Sequence, residues 1–381
     1  MKIFELEKKL ISNKNRFKLN YNQKKELKKD FKHSIILIIG AAGSIGSKFT
    51  KELKIYDFKK IYLIDKDENQ LTELNRDLIS LFKKKIFKIQ FICNDLNLIN
   101  LDRFINDKKI THYINFSAVK HVRSEENLDS IGYMMKTNFH NFLPKKLKKS
   151  SKLRKVFSIS TDKAVYPSSI LGLTKKLMEQ KLYNFKKRFP HIGVSTTRFA
   201  NVSFSNGSAL KMIIDKFREG KDFGIPKKVE RYFITHEEAV SLCLKSLLSN
   251  CDGSILIPNF DILKKQIKIY DILLKISKIL KLKVNKSSNK LIFSNRSKVF
   301  LVSKNIIGQK LSEKLNEKQE ELISINNDKT VHKINFKKGN FFKNISFLKK
   351  IKDLNKLKLF LRKKVVNYKP TRSDIGISKN I

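Results

Sequence analysis

A hydroxyl, a carboxylate and an amine follow one another near the middle of the chain. Directly after the apolar run Val156–Ile159 come Ser160, Thr161, Asp162 and Lys163. In an open α/β sheet the carboxyl ends of the strands face the ligand crevice. If the run is such a strand, these side chains are placed for proton transfers with a bound substrate. The alternative is a capped turn with an exposed ion pair.

Three glycines nearer the N-terminus form a second candidate site. They lie between the apolar run Ile35–Ile39 and a run of helical pattern. Without side chains, the backbone can turn sharply and approach a pyrophosphate closely, and the N–H groups at the start of the helix can bind the phosphates. The sequence therefore predicts a dinucleotide pyrophosphate site made by Gly40, Gly43, Ser44, Ile45 and Gly46.

Two carboxylates extend this predicted dinucleotide site. The apolar run Ile61–Ile64 ends at Asp65, about 20 residues after the last glycine, which is near the spacing of a carboxylate that binds the adenosine ribose. Because Asp65 would repel a 2′-phosphate, the sequence favours NAD over NADP; a surface Asp in a tight turn is the alternative. For Asp95, which follows the third apolar run, an adenine contact and an ordinary turn residue are equal alternatives.

The elements that must position these residues alternate along the chain. Longer segments of helical pattern, such as Ser47–Ile55 and Glu68–Phe82, separate short apolar runs that are typical of buried parallel strands. This βαβ order predicts the α/β class, with a doubly wound Rossmann-type parallel sheet covered by helices on both faces. The predicted strands are Ile35–Ile39, Ile61–Ile64, Ile89–Ile92, His112–Phe116, Lys155–Ile159 and Gly193–Thr197.

The pattern divides the chain into four regions. Residues 1–33 are a basic helical N-terminal arm, and residues 34–262 are the Rossmann NAD-binding core, of which 201–230 contribute to the substrate site. Residues 263–336 form a smaller, interleaved C-terminal substrate-binding region, and residues 337–381 a basic amphipathic tail.

Composition restricts the possible partners. The 381 residues include 82 Lys and Arg against 35 Asp and Glu, a net charge of +47, and 41% are hydrophobic, which suffices for a sizeable core. Because the lysines are spread along the whole chain, a solvated surface is favoured over a nucleic-acid patch. Three cysteines without metal spacing indicate no metal site and a reducing, cytoplasmic setting, and no segment is apolar enough to span a bilayer.

Several motifs, taken in order, are similar to those of the CapD-like branch of the extended short-chain dehydrogenase/reductase family. This branch contains UDP-N-acetylglucosamine 4,6-dehydratases and related sugar-nucleotide epimerases. The similarity covers roughly residues 34–248, with a weaker match at Gly308-Gln309-Lys310-Leu311. After the glycine turn, the matching motifs are Lys120-His121-Val122 with Glu125, Thr137-Asn138, Ser160 to Val165 with Pro167, Thr174-Lys175, Arg198-Phe199 with Asn201-Val202, Gly207-Ser208, and Arg231-Tyr232-Phe233 with Glu238-Ala239-Val240.

The resemblance implies a reaction and roles for individual residues. In that family the sugar is oxidised at C4 by hydride transfer to the nicotinamide, water is eliminated across C5 and C6, and the hydride returns to C6. Carried over by position, Thr161 would hydrogen-bond near the C4 oxygen, and Asp162 would be the general acid toward the C6 hydroxyl. Lys163 would be the base for the C5 proton, a role that suits a desolvated lysine with a lowered pKa. Lys175 would lie under the nicotinamide ribose.

The same resemblance implies how the substrate is held. Lys120 and His121 would lie beside the cofactor and the sugar, and Asn201 would bond the sugar or its diphosphate. Arg198 and Arg231 would bind the uridine diphosphate, since a guanidinium offers a bidentate fork to phosphate. As isolated residues, Lys120 and His121 would more often be a solvated pair, and the arginines would form surface salt bridges.

One departure from the family pattern affects the mechanism. The position of the family's catalytic tyrosine, four residues before Lys175, is Leu171. Some members of this branch carry methionine there, and leucine has nearly the same volume. At such a site a water positioned by Thr161 or Asp162 would relay the proton of the C4 hydroxyl.

The leading functional hypothesis is NAD-dependent 4,6-dehydration of a UDP-N-acetylhexosamine, with UDP-GlcNAc as the preferred candidate, for surface polysaccharide or glycan synthesis. A UDP-hexose or UDP-HexNAc 4-epimerase is the alternative in the same class. A basic nucleic-acid or membrane-surface binding protein without catalysis is the alternative from another class. A homo-oligomer is expected because relatives commonly self-associate, and the tail, with phenylalanines among lysines, is a candidate for contact with a membrane surface.

Overall fold

The computed structural model describes residues 3–287, 289–302 and 310–337. In these residues the α-helices are α1 (Ile3–Leu10), α2 (Tyr21–Phe31), α3 (Ser44–Glu52), α4 (Glu68–Phe82), α5 (Leu101–Asp107), α6 (Leu128–Met135), α7 (Ile170–Arg188), α8 (Ala209–Glu219), α9 (His236–Ser246), α10 (Phe260–Leu263) and α11 (Ile269–Ile279). The strands are β1 (Ile35–Ile39), β2 (Lys60–Asp65), β3 (Ile89–Cys93), β4 (His112–Asn115), β5 (Lys155–Ile159), β6 (Gly193–Thr197), β7 (Asn201–Val202), β8 (Phe223–Pro226), β9 (Glu230–Arg231), β10 (Phe233–Ile234), β11 (Ser254–Pro258), β12 (Ile267–Lys268), β13 (Val284–Lys286), β14 (Lys290–Phe293), β15 (Lys298–Val302), β16 (Ile323–Ile325) and β17 (Asp328–Asn335).

The main sheet has the order β16-β17-β11-β6-β5-β4-β1-β2-β3. The strands from β11 to β3 are parallel to their neighbours, whereas β17 runs antiparallel to β11. The predicted doubly wound parallel sheet is confirmed, and β1, β5 and β6 have the predicted bounds. The prediction succeeds because strands buried on both faces are continuous apolar runs, as in the Ile-Ile-Leu-Ile-Ile of β1.

Successive side chains of β1 enter different cores on the two faces of the sheet. Ile36 and Ile38 pack in one core, with residues of α2, α3, α4 and α9. Leu37 and Ile39 pack in the other, with residues of α5 and α7. This alternation follows from the period of two along a strand, and it leaves the carboxyl end of β1 between two helical layers.

A smaller lobe forms beside the carboxyl ends of the parallel strands. Its sheet has the order β13-β14-β15-β8, and its core is formed mainly by residues of that sheet, α8 and α11. The segment between β6 and β8 and the segment after β12 thus combine in one substructure. Residues of this lobe, among them Leu210 and Ile269, line a cavity together with residues of the glycine turn.

Residues 3–33 pack against two of the cores, that of the smaller lobe and that on the face of the main sheet covered by α2, α3, α4 and α9. Leu6 and Leu10 of α1 are buried in the core of the smaller lobe, and Leu27 and Phe31 of α2 are buried in the main core. Between these helices the guanidinium of Arg16 donates to both carboxylate oxygens of Glu238 on α9, at 2.6 and 2.8 Å. The region predicted as an arm that precedes the core therefore contributes to the core.

The end of the described chain returns to the main sheet. Strands β16 and β17 extend this sheet beyond β11, although the sequence pattern assigns them to the C-terminal substrate-binding region. A strand that pairs antiparallel with its neighbour needs no crossover helix. The sequence therefore contains no βαβ pattern from which β17 could be predicted. The predicted amphipathic tail, from residue 338 on, lies outside the described residues.

Candidate active site

A cavity of about 640 Å³ opens at the carboxyl ends of the central parallel strands. The glycine turn, the residues that follow β5 and the first turns of α7 form one side of it, and residues of the smaller lobe form the other. The predicted site residues that line it are Gly40, Gly43, Ser44, Ile45, Gly46, Lys120, His121, Thr161, Asp162, Lys163, Lys175, Asn201 and Arg231.

The glycine turn is closed so tightly that side chains are excluded. Gly40 has a φ of +74°, and a Cβ there would lie 2.6 Å from the backbone N of Ser117. A Cβ on Gly46 would lie 2.1 Å from the carbonyl O of Gly40. Gly43 is the N-cap of α3, and Ser44, Ile45 and Gly46 of its first turn line the cavity. A tight turn followed by a helix N-terminus is the arrangement that holds a pyrophosphate, so these residues fit a dinucleotide.

Asp65 and Asp95 follow neighbouring strands of the sheet. The carboxylate of Asp65 accepts hydrogen bonds from the backbone N of Ala42 at 2.9 Å and of Asp67 at 3.1 Å, which fixes it beside the glycine turn. Asp95 accepts the backbone N–H of Asn97 at 2.8 Å and the hydroxyl of Tyr133. Asp65 therefore lies beside the glycine turn and Asp95 acts as a turn residue, and neither is among the residues that line the cavity.

The three residues after Ser160 form one hydrogen-bonded group, which we call the acid–base group (Thr161, Asp162 and Lys163). Oγ1 of Thr161 donates to Oδ1 of Asp162 at 2.8 Å, and Nζ of Lys163 donates to the same oxygen at 3.1 Å. Asp162 is 3% exposed, whereas the side chain of Lys163 is partly exposed to the cavity. A carboxylate that accepts hydrogen bonds from a hydroxyl and an ammonium can take a proton from either.

Lys163 differs from the prediction in its charge state. Burial lowers the pKa of this lysine, but the negative charges of Asp162 and Glu313 outweigh burial and raise it above its usual value. The predicted lowering of the pKa is therefore wrong for the protein without substrate. The prediction missed the effect of Glu313 on this pKa, because Glu313 is 150 residues away in the sequence and lies next to Arg231 only in the fold.

Lys175 and Leu171 lie one turn apart on α7 and both line the cavity. Nζ of Lys175 donates to the carbonyl O of Ile159 at 3.0 Å, and burial lowers the pKa of this lysine to about 8. Leu171 is buried, and its backbone N–H donates to the carboxylate of Glu125 at 2.9 Å. The position of the family's tyrosine therefore presents an apolar side chain to the cavity.

The remaining predicted substrate residues differ in their surroundings. Burial and the charge of Lys163 lower the pKa of Lys120. Nδ2 of Asn201 is buried and has no hydrogen-bond partner among the described residues, so this donor is available to a ligand. Arg231 donates to the carbonyls of Glu230, Leu311 and Lys310 at 2.7, 3.1 and 2.8 Å, and thereby holds the chain after residue 309 against the cavity.

The prediction that Arg198 binds the diphosphate is wrong. This arginine is fully buried and does not line the cavity. All five of its N–H groups donate within the protein, to both carboxylate oxygens of Glu179, both of Glu320 and the carbonyl O of Leu315. A guanidinium with every donor engaged has none left for a phosphate.

Two features of the site have no counterpart in the prediction. Glu313 lines the cavity, is 3% exposed and accepts a hydrogen bond from Nζ of Lys310 at 3.2 Å. Asn206 also lines the cavity and joins its two neighbours there, since its backbone N–H donates to Oγ of Ser44 at 3.0 Å and its side chain to Gln70 at 3.3 Å. The weak family match at residues 308–311 is the signal that could have led to Glu313, two residues beyond it.

Comparison with protein families decides the classification. The family described as polysaccharide biosynthesis protein matches residues 36–338. The chain belongs to this family. Capsular polysaccharide biosynthesis protein CapD of Staphylococcus aureus is 25% identical over 256 residues, which cover 65% of this chain and 41% of CapD. A protein named UDP-glucose 4-epimerase from Rickettsia rickettsii is 29% identical over 238 residues, which cover 60% of this chain and 66% of that protein.

Solved structures share the fold of this chain. Pen from Bacillus thuringiensis has a TM-score of 0.65 at 18% identity, covering 82% of this chain and 90% of that chain. UDP-glucuronic acid 4-epimerase from Bacillus cereus, in complex with UDP-glucuronic acid and NAD, has a TM-score of 0.56 at 22% identity, covering 73% and 88%. Among the described residues, none of the helices is long and apolar enough to cross a bilayer, and no His, Cys, Asp and Glu side chains are grouped to hold a metal ion.

Proposed function

We propose that this protein modifies a nucleotide sugar for polysaccharide synthesis, and that its reaction is the NAD-dependent 4,6-dehydration of a UDP-N-acetylhexosamine such as UDP-GlcNAc. The observation that carries the proposal is the acid–base group beside a glycine turn, in a cavity where Leu171 replaces a tyrosine. A 4-epimerase needs proton transfer only at the C4 oxygen, whereas a dehydratase also needs a base at C5 and an acid at C6. The cavity offers a carboxylate and an amine for those two tasks.

NAD fits the residues of the glycine turn. Gly40 and Gly46 leave room only for backbone, the start of α3 offers N–H groups to the pyrophosphate, and Asp65 disfavours a 2′-phosphate. NAD bound there would accept the hydride from C4 of the sugar and return it to C6. The Bacillus cereus epimerase, which shares the fold, binds the same dinucleotide.

The proton transfers of the elimination are made by the acid–base group. In the resting protein Lys163 is an ammonium and Asp162 a carboxylate, 3.1 Å apart. When the sugar displaces water, a neutral pair becomes more favourable than an ion pair, because a low dielectric penalises separated charges. The proton then crosses from Nζ to Oδ1, which leaves an amine and a carboxylic acid.

The two groups then act in the roles that the resemblance implies. With C4 oxidised, the C5 proton is acidic, and the amine of Lys163 takes it. Asp162 gives its proton to the C6 hydroxyl, which departs as water as the C5–C6 double bond forms. Lys163 is then an ammonium and Asp162 a carboxylate. As the hydride returns to C6, Lys163 gives the proton back to C5, and the proton released from the C4 hydroxyl restores the ammonium for the next turnover.

A product assay tests the proposal. The purified protein is incubated with NAD and UDP-GlcNAc, and the nucleotide sugars are analysed by mass spectrometry. We expect a product lighter than the substrate by one water. A product of unchanged mass that differs in the configuration at C4 would show the epimerase instead.

The epimerase alternative rests on the rickettsial relatives, which carry that name at 28 to 29% identity. Oligomerisation of the chain stays a prediction.

A further inference from the structure

A buried network of charges lies directly behind the acid–base group. We call it the Arg198 network; its members are Ser160, Glu179, Arg198 and Glu320. The guanidinium of Arg198 is held on one side by Glu179 of α7, with two contacts of 2.7 Å. On the other side it is held by Glu320, with contacts of 2.7 and 2.8 Å. A long-range ion pair thus joins α7 to a segment that lies more than 100 residues further along the chain.

The network reaches the acid–base group through a hydroxyl. Oγ of Ser160 donates to Oε1 of Glu179 at 2.6 Å, and this oxygen also accepts from Nε of Arg198. Ser160 is covalently joined to Thr161, the first member of the acid–base group, and Glu179 lies one turn beyond Lys175 on α7. The network therefore links the two elements that carry the catalytic side chains.

Residues 310–320 are fastened to the other end of the acid–base group as well. Nζ of Lys310 donates to the carbonyl O of Val165 at 2.6 Å. The backbone N–H of Lys318 donates to the hydroxyl of Tyr166 at 2.6 Å, and Tyr166 has a φ of +44°, a conformation that needs outside support. The segment thus braces the turn after Lys163, while the Arg198 network holds the residue before Thr161.

Substitution of Glu320 is the most selective way to test whether the Arg198 network supports the acid–base group. Without it, Arg198 keeps its contacts with Glu179 and with the carbonyl of Leu315, so the buried guanidinium stays paired. The bonded guanidinium and the charge of Lys176 hold the pKa of Glu320 at about 2 despite burial, so it is a carboxylate at all physiological pH values. What is lost is the pair of charged contacts between Glu320 and the arginine that follows β6, while the other contacts of residues 310–320 remain.

We propose that Glu320 is a positioning residue, which acts through Arg198, Glu179 and Ser160 to hold Thr161, Asp162 and Lys163 in the geometry that proton transfer requires. The inference rests on the proposed function. It assigns a catalytic contribution to a segment that does not itself carry the acid or the base. Small displacements of positioned groups are enough to reduce the rate, since transfer depends on hydrogen-bond distance.

The test compares Glu320→Gln with Glu317→Gln in the full-length protein. Glu317 lies in the same segment and pairs with Lys176 at 2.8 Å, but it does not contact Arg198, so its variant is a matched control. For Glu320→Gln we expect kcat to fall about 10- to 100-fold, as for a misplaced catalytic group, with little change in KM. Glu317→Gln should keep the wild-type kcat.

A second measurement works without turnover. Acetylation of Lys163 by N-hydroxysuccinimidyl acetate, followed by peptide mass spectrometry, reports how firmly Nζ is held in its ion pair with Asp162. We expect faster acetylation of Lys163 in Glu320→Gln, with the rate for exposed Lys187 unchanged. Wild-type kcat and wild-type acetylation of Lys163 in Glu320→Gln, with only a lower melting temperature, would overturn the inference. If the wild type turns over no UDP-N-acetylhexosamine, the proposed function fails, and the acetylation rates still decide whether Glu320 positions Lys163.

Discussion

The glycine turn and the acid–base group line the same cavity, but their geometry has different origins. The close contacts of Gly40 and Gly46 are made with residues 40 and 41 and with the chain just after β4. The charges around Lys163 come from Asp162 next to it, but also from Arg231 and Glu313. The first region is determined by its own backbone, and the second by side chains that the fold brings from far away.

This difference affects how each region responds to change. The glycine turn should tolerate almost any distant substitution but no side chain at Gly40 or Gly46. A group of titratable side chains tolerates changes of shape but responds to each charge within a few ångströms, because Coulomb interactions are weakly screened inside a protein. Substitutions in the two regions should therefore separate dinucleotide binding from proton transfer.

Gly46→Ala should have the largest effect. Its Cβ would lie 2.1 Å from the carbonyl O of Gly40, and backbone atoms on both sides cannot move without opening the turn. We expect loss of measurable NAD binding by titration calorimetry, together with a lower melting temperature.

Gly43→Ala is the matched control, since its Cβ would lie 3.4 Å from the nearest atom, the same carbonyl O. The variant should fold with a stability within about 1 kcal/mol of the wild type, the usual range for a change at a helix N-cap. Wild-type NAD affinity in Gly46→Ala would show that the turn opens easily and would remove the contrast between the two regions.

Lys163→Met should break the second region and leave the first intact. The substitution keeps most of the side-chain volume and removes the amine that takes the C5 proton. We expect dehydration to slow by about 10²- to 10⁴-fold, the usual contribution of a general acid or base, with NAD binding unchanged.

Lys187→Met, which removes one exposed ammonium of α7, serves as the control for the change in net charge. Its rate should equal that of the wild type. Dehydration at the wild-type rate in Lys163→Met would mean that another group is the base.

The regions also differ in how far the sequence predicts them. The alternation of apolar runs predicts the sheet, and the glycine spacing predicts the first turn, because both signals are local. Strand β17 escapes prediction because its partner β11 lies some 70 residues earlier and no helix connects them as a βαβ unit. The N-terminal helices are predicted as helices, but amphipathicity alone does not reveal which core receives Leu6 or Phe31.

Arg198 shows why the contacts of a side chain are harder to predict from the sequence than the strand that carries it. The motif that contains it predicts an arginine near the substrate, and β6 does end near the cavity. Whether its guanidinium faces a phosphate or a carboxylate depends on Glu179 and Glu320, and no spacing in the sequence connects these three residues. The same reason accounts for the wrong prediction of the pKa of Lys163.

Lys175, which lines the same cavity, gives a smaller expected effect that can be measured as a change of stability with pH. Burial lowers its pKa to about 8 from 10.5, so between these values the unfolded chain binds a proton that the folded protein does not. Stability then rises with pH across that window, by about 3 kcal/mol for one such group. The free energy of unfolding of the wild type, relative to that of Lys175→Met, should therefore increase from about pH 8 to 10.5.

Lys181 on the same helix is a control that separates the effect of a buried lysine on stability from the proposed role of Lys175 in NAD binding. Burial also lowers its pKa to about 8, but its Nζ donates to the carbonyls of Phe139 and His140 and does not line the cavity. Denaturant titrations of Lys181→Met should show the same pH dependence relative to the wild type, with unchanged NAD affinity, whereas Lys175→Met should lose affinity. Equal NAD affinity in both variants would mean that Lys175 is a buried lysine of the core like Lys181, and that the dinucleotide site is built by the glycine turn alone.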